Sequence, residues 1–242
     1  MTWSIVARDP ETGSFGAAVA TRFVAAAGLC LNVTPGTGAV CTQAMINPTY
    51  GPNGLQLLGG GAAASDAIAQ LLAADAGRDH RQVHAVDRNG TVGAATGSAC
   101  HDWSGHRTGV GVSVAGNLLA GPAVVRETLA RYESAADLPF AERLLAAMEA
   151  GQQAGGDQRG QQSAGILIHG AEAYPDLSLR VDEHPTPLAE LRRIYQLWLL
   201  DFAAARKYMA THDDPAGVYD EAVIEAELQR RLADPAARTF PV

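Results

Sequence analysis

The sequence predicts an α+β fold in which antiparallel sheets are covered by layers of helix, and three observations predict it. Short apolar runs of strand length come in pairs, separated by turn residues such as Asp, Asn and Gly. Longer stretches with helical spacing follow in blocks instead of alternating with the strands one by one. The composition is 47% hydrophobic but only 6% aromatic, with 26 glycines, which suits closely packed layers of small side chains. Strands grouped apart from helices favour α+β over the βαβ alternation of a parallel sheet.

In chain order, residues 3–7 run apolar, Asp9-Pro10-Glu11-Thr12-Gly13 supplies turn chemistry, and residues 14–21 run back as the second arm of a hairpin. Residues 38–44 read as a buried strand, and NPTYGPNG then reads as a loop leading into an apolar helical stretch. Ser65 is placed to cap a helix through Ala74. Residues 82–86 and 91–96 form a hairpin around Asp87-Arg88-Asn89-Gly90, because Asn-Gly between apolar runs is a strong turn signal. Residues 109–115 (GVGVSVA) read as one strand of small residues ending in Gly116-Asn117.

Helical spacing then appears over 122–132 and 140–152, carried by Val124, Val125 and Leu129 and by Leu144, Leu145 and Met148. Two further strands are expected at 163–169 and 177–181. Thr186-Pro187 is a cap with proline at the first helical position, opening a stripe of Leu188, Leu191, Tyr195 and Trp198. A last charged helix is expected over 218–232. The chain therefore divides into a sandwich-forming part, 1–185, and a C-terminal helical extension, 186–242.

The formal net charge of −8 is the wrong sign for a protein that neutralises phosphates, so no nucleic-acid partner is expected. No apolar run has transmembrane length and no basic-then-apolar leader opens the chain, so no membrane partner is expected. Cys30, Cys41 and Cys100 are odd in number and irregularly spaced, which fits neither a disulfide framework nor a metal site. A reducing cytoplasm is the expected compartment, and no cofactor is expected.

The candidate chemistry lies at the first strand. Removal of Met1 would leave Thr2 with a hydroxyl nucleophile and an α-amine on the same Cα. An α-amine has a pKa of roughly 7.7–8.0, so it can take the hydroxyl proton near neutrality, and a threonine with its own amine as base needs no histidine. A turn centred near Glu11 puts Thr2 across from about Ala20, with Thr21 and Arg22 just beyond. Diagonal cross-strand neighbours lie roughly 7–8 Å apart, so Arg22 is expected to aim its guanidinium at Thr2 and to favour the neutral amine or fork onto a substrate carboxylate. A change of one residue in register would undo that placement.

These segments carry a resemblance. TWSIVARDPETG, GAAVATRF, GAVCTQAMINPTYGPNGLQLL, RQVHAVDRNGTVGAATGSAC, GNLLAGPAVV, GGDQRGQQSAGILI and LRVDEHPTPLAELRR are similar to a bacterial family called domain of unknown function 1028, whose members resemble N-terminal-nucleophile (Ntn) hydrolases. The likeness runs over roughly residues 2–195. It implies a four-layer αββα sandwich and hydrolysis of an amide bond in a small or peptide-like substrate. The family threonine falls on Thr2 and its arginine on Arg22, while Gln43, Asn47, Asn117, Asp157, Arg159 and Gln162 fall in loops or at strand ends. Thr21 stands where the family pattern leads one to expect serine, and Ala115 where a longer polar residue is expected.

Within that reading Thr2, Arg22 and Asn117 are the candidate catalytic residues, with Asn117 as donor to the oxyanion of a tetrahedral intermediate. Thr21, Gln43, Asn47, Asp157, Arg159 and Gln162 are the candidate substrate contacts. Cys100-His101-Asp102 is not a triad, because consecutive residues point apart. The pairs His80/His84 and His101/His106 lack a third metal ligand, and Leu58-Gly59-Gly60-Gly61-Ala62 lacks the lysine of a phosphate loop. The alternative function is a non-catalytic small-molecule-binding protein that keeps the sandwich and leaves Thr2 idle. A homo-oligomer through the terminal helices is compatible with either.

Overall fold

The computed structural model of the chain describes residues 2–240. Met1, on which the expected processing step falls, lies outside the described residues. The chain starts as a hairpin of β1 (Thr2–Arg8) and β2 (Phe15–Thr21). Its turn is built locally: Asp9 Oδ2 accepts from the Thr12 amide at 3.1 Å and hydroxyl at 2.5 Å, and Gly13 takes φ +76°. A one-turn helix α1 (Ala27–Cys30) leads into a second hairpin, β3 (Leu31–Thr34) and β4 (Gly38–Ala44). Helices α2 (Tyr50–Gly59) and α3 (Ala64–Ala73) follow. Two more hairpins come next, β5 (Arg81–Asp87) with β6 (Val92–Thr96), and β7 (Gly105–Gly109) with β8 (Val112–Asn117). Then come α4 (Pro122–Ser134) and α5 (Phe140–Gln153), the hairpin β9 (Ser163–His169) and β10 (Leu177–Val181), and α6 (Pro187–Leu200), α7 (Phe202–Arg206) and α8 (Glu221–Ala233).

The strands form two antiparallel sheets, one in the order β10-β9-β2-β1-β8-β7 and the other β3-β4-β5-β6. The sheets face each other, with α4, α5 and α6 covering the first and α2 and α3 the second. This is a four-layer αββα sandwich, with β1 at the centre of the larger sheet. Side chains alternate between faces along each strand. Trp3, Ile5 and Ala7 join Leu144, Met148 and Tyr195 in the core under the helices. Val6, Phe15, Ala17 and Val19 meet Ala39, Cys41 and Val86 between the sheets. The outer face of the smaller sheet packs Val40, Val83 and Ala85 against Tyr50, Leu58 and Ile68. No helix among the described residues is long and apolar enough to cross a membrane.

Several expectations are corrected. The 109–115 segment is not one strand: the chain reverses at Gly109–Val110–Gly111, with Gly111 at φ +67°, and Arg8 N–H donates to its carbonyl at 2.9 Å. The stretch YGPNG is helix, not loop. A Cβ on Gly51 would come within 2.2 Å of the Asn32 side chain and one on Gly54 within 3.2 Å of Val40, so the glycines let α2 lie close on the sheet. Proline at its third position falls where the helix needs no amide donor. Ser65 does not cap α3. The Ala64 amide is taken instead by Asp87 Oδ2 at 3.0 Å, from the turn of a neighbouring hairpin. The last helix begins at Glu221, where Asp220 Oδ1 accepts from Ala222 N–H at 2.9 Å. Finally, Thr2 pairs with Thr21, not Ala20.

Candidate functional site

That one-residue difference in register rearranges the head of the hairpin. Odd residues of β1 point to the helices and even ones to the other sheet, so Thr2 and Ser4 face the seam between the sheets. Thr21 lies on the same face directly opposite Thr2, and the two hydroxyls are 3.0 Å apart. On its other side Thr2 pairs with Asn117 of β8. Thr2, Thr21, Gln43 and Asn117 are all buried there. Arg22 falls past the strand end, and its guanidinium donates to Gln162 Oε1 at 2.5 Å.

Two side-chain amides converge on the Thr2 carbonyl. Gln43 Nε2 and Asn117 Nδ2 each donate to it, both at 3.4 Å. The same two nitrogens also donate to Gln82 Oε1, at 2.8 and 3.0 Å. Gln82 determines this polarity. Its own Nε2 faces the carbonyl oxygens of Gly105 at 3.1 Å and Gly116 at 2.9 Å, which only accept, so its oxygen must point inward. Both neighbouring amides must then turn their NH2 groups toward it, and their remaining hydrogens toward Thr2.

A second string of bonds braces the first. Ser4 Oγ donates to Gln43 Oε1 at 2.8 Å, which leaves His84 Nε2 as the donor in its own 2.8 Å contact with Ser4. His84 Nδ1 then accepts from Ser113 Oγ at 3.1 Å. Burial pushes the His84 imidazole down to about 3, so it is neutral near pH 7 and serves as a fixed hydrogen-bonding spacer. Ala115 lies opposite Ser4, so the longer polar side chain expected there would have entered this network.

Asp157 ties the adjoining loops together from below the surface. Its Oδ2 accepts from Arg22 N–H at 3.1 Å, and its Oδ1 from Arg159 N–H at 2.8 Å. Arg159 Nη2 reaches Oδ2 at 3.3 Å, and its guanidinium lies 4.9 Å over the Phe23 ring. Gln162 N–H donates to the Thr21 carbonyl at 2.9 Å. The structure therefore gathers Thr2, Thr21, Gln43 and Asn117 in the seam and sets Arg22, Asp157, Arg159 and Gln162 at its mouth.

Asn47 goes elsewhere. Its Nδ2 donates to Asp75 at 3.2 Å, beside a groove between α2 and α3. Asp75 also accepts from Tyr50 at 2.8 Å and Arg81 at 3.0 Å, and Arg81 above all holds its carboxyl well below the usual range. Ser4, Gln82, His84 and Ser113 were missed from sequence. The readable signal was phase: in QVHAVD, Val83 and Ala85 take one face, which puts Gln82 and His84 on the buried face of Val86.

A cavity of about 220 Å³ opens at this end of the seam, bordered by Asn117, Leu118, Ala44, Met45, Phe23 and Arg159. Two of its wall residues have left-handed backbones that non-glycine residues seldom adopt, Ala44 at φ +69° and Leu118 at φ +54°. Arg81 Nη1 braces the first of these bends by donating to the Met45 carbonyl at 2.6 Å. Strain held at a cavity wall by neighbouring bonds is a frequent mark of a functional site.

The family model described as "Family of unknown function (DUF1028)" matches residues 2–191. The chain belongs to the DUF1028 family. Among solved structures, this DUF1028 chain is similar to protein SPO2555 from Silicibacter pomeroyi, of the same family. The identity is 33% and the TM-score 0.84, over 90% of this chain and 96% of that one. Anbu (ancestral beta-subunit) from Yersinia bercovieri matches at 12% identity and TM-score 0.38, over 84% and 96% of the two chains. An Anbu Gly-1 mutant from Hyphomicrobium matches at 13% and 0.40, over 82% and 95%. No curated protein matches the chain.

Proposed function

We propose that this DUF1028 protein is a cofactor-independent amidohydrolase of the Ntn type that cleaves an amide bond in a small or peptide-like substrate, with Thr2 as nucleophile once Met1 is removed. The observation that carries this reading is the placement of Thr2. It heads the central strand with its hydroxyl buried in the seam, opposite Asn117, which borders the cavity.

In the proposed cycle the Thr2 α-amine takes the Oγ1 proton as Oγ1 attacks the amide carbonyl. A C–O bond forms and the carbonyl electrons move onto oxygen. Asn117 stabilises that oxyanion by giving up its long 3.4 Å bond to the Thr2 carbonyl while Gln82 still holds it. Collapse breaks the C–N bond, and the ammonium returns the proton to the leaving amine. Water then attacks the ester with the same amine as base, releasing the acid and restoring Thr2. Thr21 orients the Thr2 hydroxyl through the 3.0 Å contact, while Arg22, Asp157 and Gln162 shape the mouth. The three cysteines stand as free thiols, which supports a reducing, cytoplasmic setting.

The test is a turnover screen on N-acyl amino acids, dipeptides and ureido compounds with wild type, Thr2→Ser and Thr2→Ala. Turnover is expected to survive in part in Thr2→Ser and to fall by orders of magnitude in Thr2→Ala. Equal rates in wild type and Thr2→Ala would refute the proposed nucleophile. Binding without turnover in both would favour the non-catalytic alternative.

A further inference from the structure

Three apolar side chains border the cavity beside Thr2, those of Phe23, Met45 and Leu118, and the backbone of each is already hydrogen-bonded inside the protein. Phe23 N–H donates to Thr21 Oγ1 at 3.3 Å, and its carbonyl accepts from Ser163 Oγ at 2.6 Å. Met45 N–H donates to the His80 carbonyl at 3.2 Å, and its own carbonyl is the one braced by Arg81. Leu118 N–H donates to the His101 carbonyl at 3.1 Å, and its carbonyl accepts from Gln158 N–H at 3.4 Å. What these residues present to a bound molecule is therefore carbon. Phe23 is 54% exposed and Met45 63%, even with the Arg159 guanidinium 4.9 Å over the Phe23 ring.

Charge does not offset that apolar surface. None of the described lining residues is Asp or Glu. The arginine among them, Arg159, is ion-paired with the buried Asp157, Nη2 to Oδ2 at 3.3 Å, so its charge is matched within the protein. Cys100 Sγ donates to the Arg81 carbonyl at 3.3 Å, and burial raises its thiol, which stays protonated near neutrality. His80 and His101 add rings with an apolar body and a polar tip. Size narrows the occupant further. An apolar cavity of roughly 150 Å³ holds a benzene and drug-sized sites begin near roughly 300 Å³, whereas this cavity has about 220 Å³. Its inner end is Asn117, the cross-strand partner of Thr2, so a group lodged here lies next to the bond that Thr2 attacks in the proposed cycle.

We infer that the cavity takes an uncharged apolar group about the size of a single ring, carried by the substrate beside its scissile amide and packed against Phe23, Met45 and Leu118. The scissile amide in this statement rests on the hydrolase reading; the size and apolar character of the group do not.

The experiment is calorimetric titration of Thr2→Ala, which should bind without turnover, with acetamide, phenylacetamide, succinamate and 1-naphthylacetamide. Phenylacetamide should bind at least about tenfold tighter than acetamide, the scale on which an apolar pocket reads added carbon. Succinamate, whose chain ends in a carboxylate, should gain nothing over acetamide, and the larger naphthyl probe should bind no tighter than phenylacetamide. Met45→Ser or Phe23→Ser, each added to Thr2→Ala, should weaken phenylacetamide several-fold while Met45→Leu keeps its affinity, with thermal melts showing all three folded. Equal affinity for phenylacetamide and acetamide, tighter binding of succinamate or the naphthyl probe, unchanged affinity in both serine variants, or binding of no probe at millimolar concentration would overturn the inference. If phenylacetamide binds selectively to Thr2→Ala yet wild type turns over no amide, the hydrolase reading fails while the apolar site stands. If wild type hydrolyses acetamide and succinamate as efficiently as phenylacetamide, the apolar site fails while the hydrolase reading stands.

Discussion

On one face of β1, Trp3, Ile5 and Ala7 pack under the helices against Leu144, Met148 and Tyr195. On the other, Thr2, Ser4 and Val6 face the second sheet, and polarity changes along the strand. Val6 sits among Phe15, Ala39 and Val86, whereas Ser4 and Thr2 sit among Gln43, Gln82, His84 and Asn117. Both faces are equally buried, so solvent does not explain the difference. A buried polar group is costly unless it is hydrogen-bonded, and an apolar seam of the same shape would avoid that requirement. The polar end of the seam keeps its groups bonded to one another and to the Thr2 carbonyl. This teaches that the helix-facing side of β1 holds the sandwich together while the seam-facing side positions the chain's first residues.

Substitutions on the two faces should therefore separate stability from activity. The largest stability effect belongs to the helix face. Ile5→Ala, at a fully buried position, should cost about 2–5 kcal/mol in chemical denaturation, and the protein that remains folded should keep its turnover. A smaller stability effect is expected in the seam. Gln82→Leu takes its donor from the buried Gly116 carbonyl and frees Gln43 and Asn117 to flip, at about 1–3 kcal/mol for the one buried group left unsatisfied. Its distinguishing signature is loss of turnover at temperatures where the fold persists. Equal losses of turnover from Ile5→Ala and Gln82→Leu, measured well below both melting temperatures, would break the comparison.

A third effect is a pH dependence. The folded His84 is held at about 3, below the value of roughly 6.5 for an unperturbed histidine. The unfolded chain therefore binds a proton between those values that the folded one refuses. Its contribution is complete above pH 6.5 and is lost as pH falls toward 3. Denaturation midpoints should fall more steeply from pH 7 to pH 4 in wild type than in His84→Gln. Parallel profiles would show that His84 is not kept neutral by the fold.

How much of this was legible in the sequence depended on whether the deciding contacts were local. The β1–β2 hairpin was readable because Asp9 and Gly13 make its turn from neighbouring residues, but register could be fixed only to within one residue, which moved Thr21 to the place opposite Thr2. Helix α2 was hidden because its glycines answer to Asn32 and Val40, on strands earlier in the chain. Strand β7 was hidden because its GHRTG sequence is a mostly polar edge with no apolar alternation. The start of α3 was misplaced because its capping partner, Asp87, follows it by more than twenty residues.

The site divides in the same way. Thr2 was found from chemistry that one residue carries by itself, and the resemblance supplied Gln43 and Asn117. Gln82, which orients both, was missed because its role appears only when three strands from two sheets meet. Asn47 lies in a segment that carries the resemblance, yet its amide serves Asp75 on the helix side of the smaller sheet.

The most direct test of the account is intact-mass analysis of the protein taken from its own host and shown to be turning over substrate. The account predicts a mass lacking the initiator methionine, with Thr2 first. Active protein in which every molecule still begins with Met1 would contradict it.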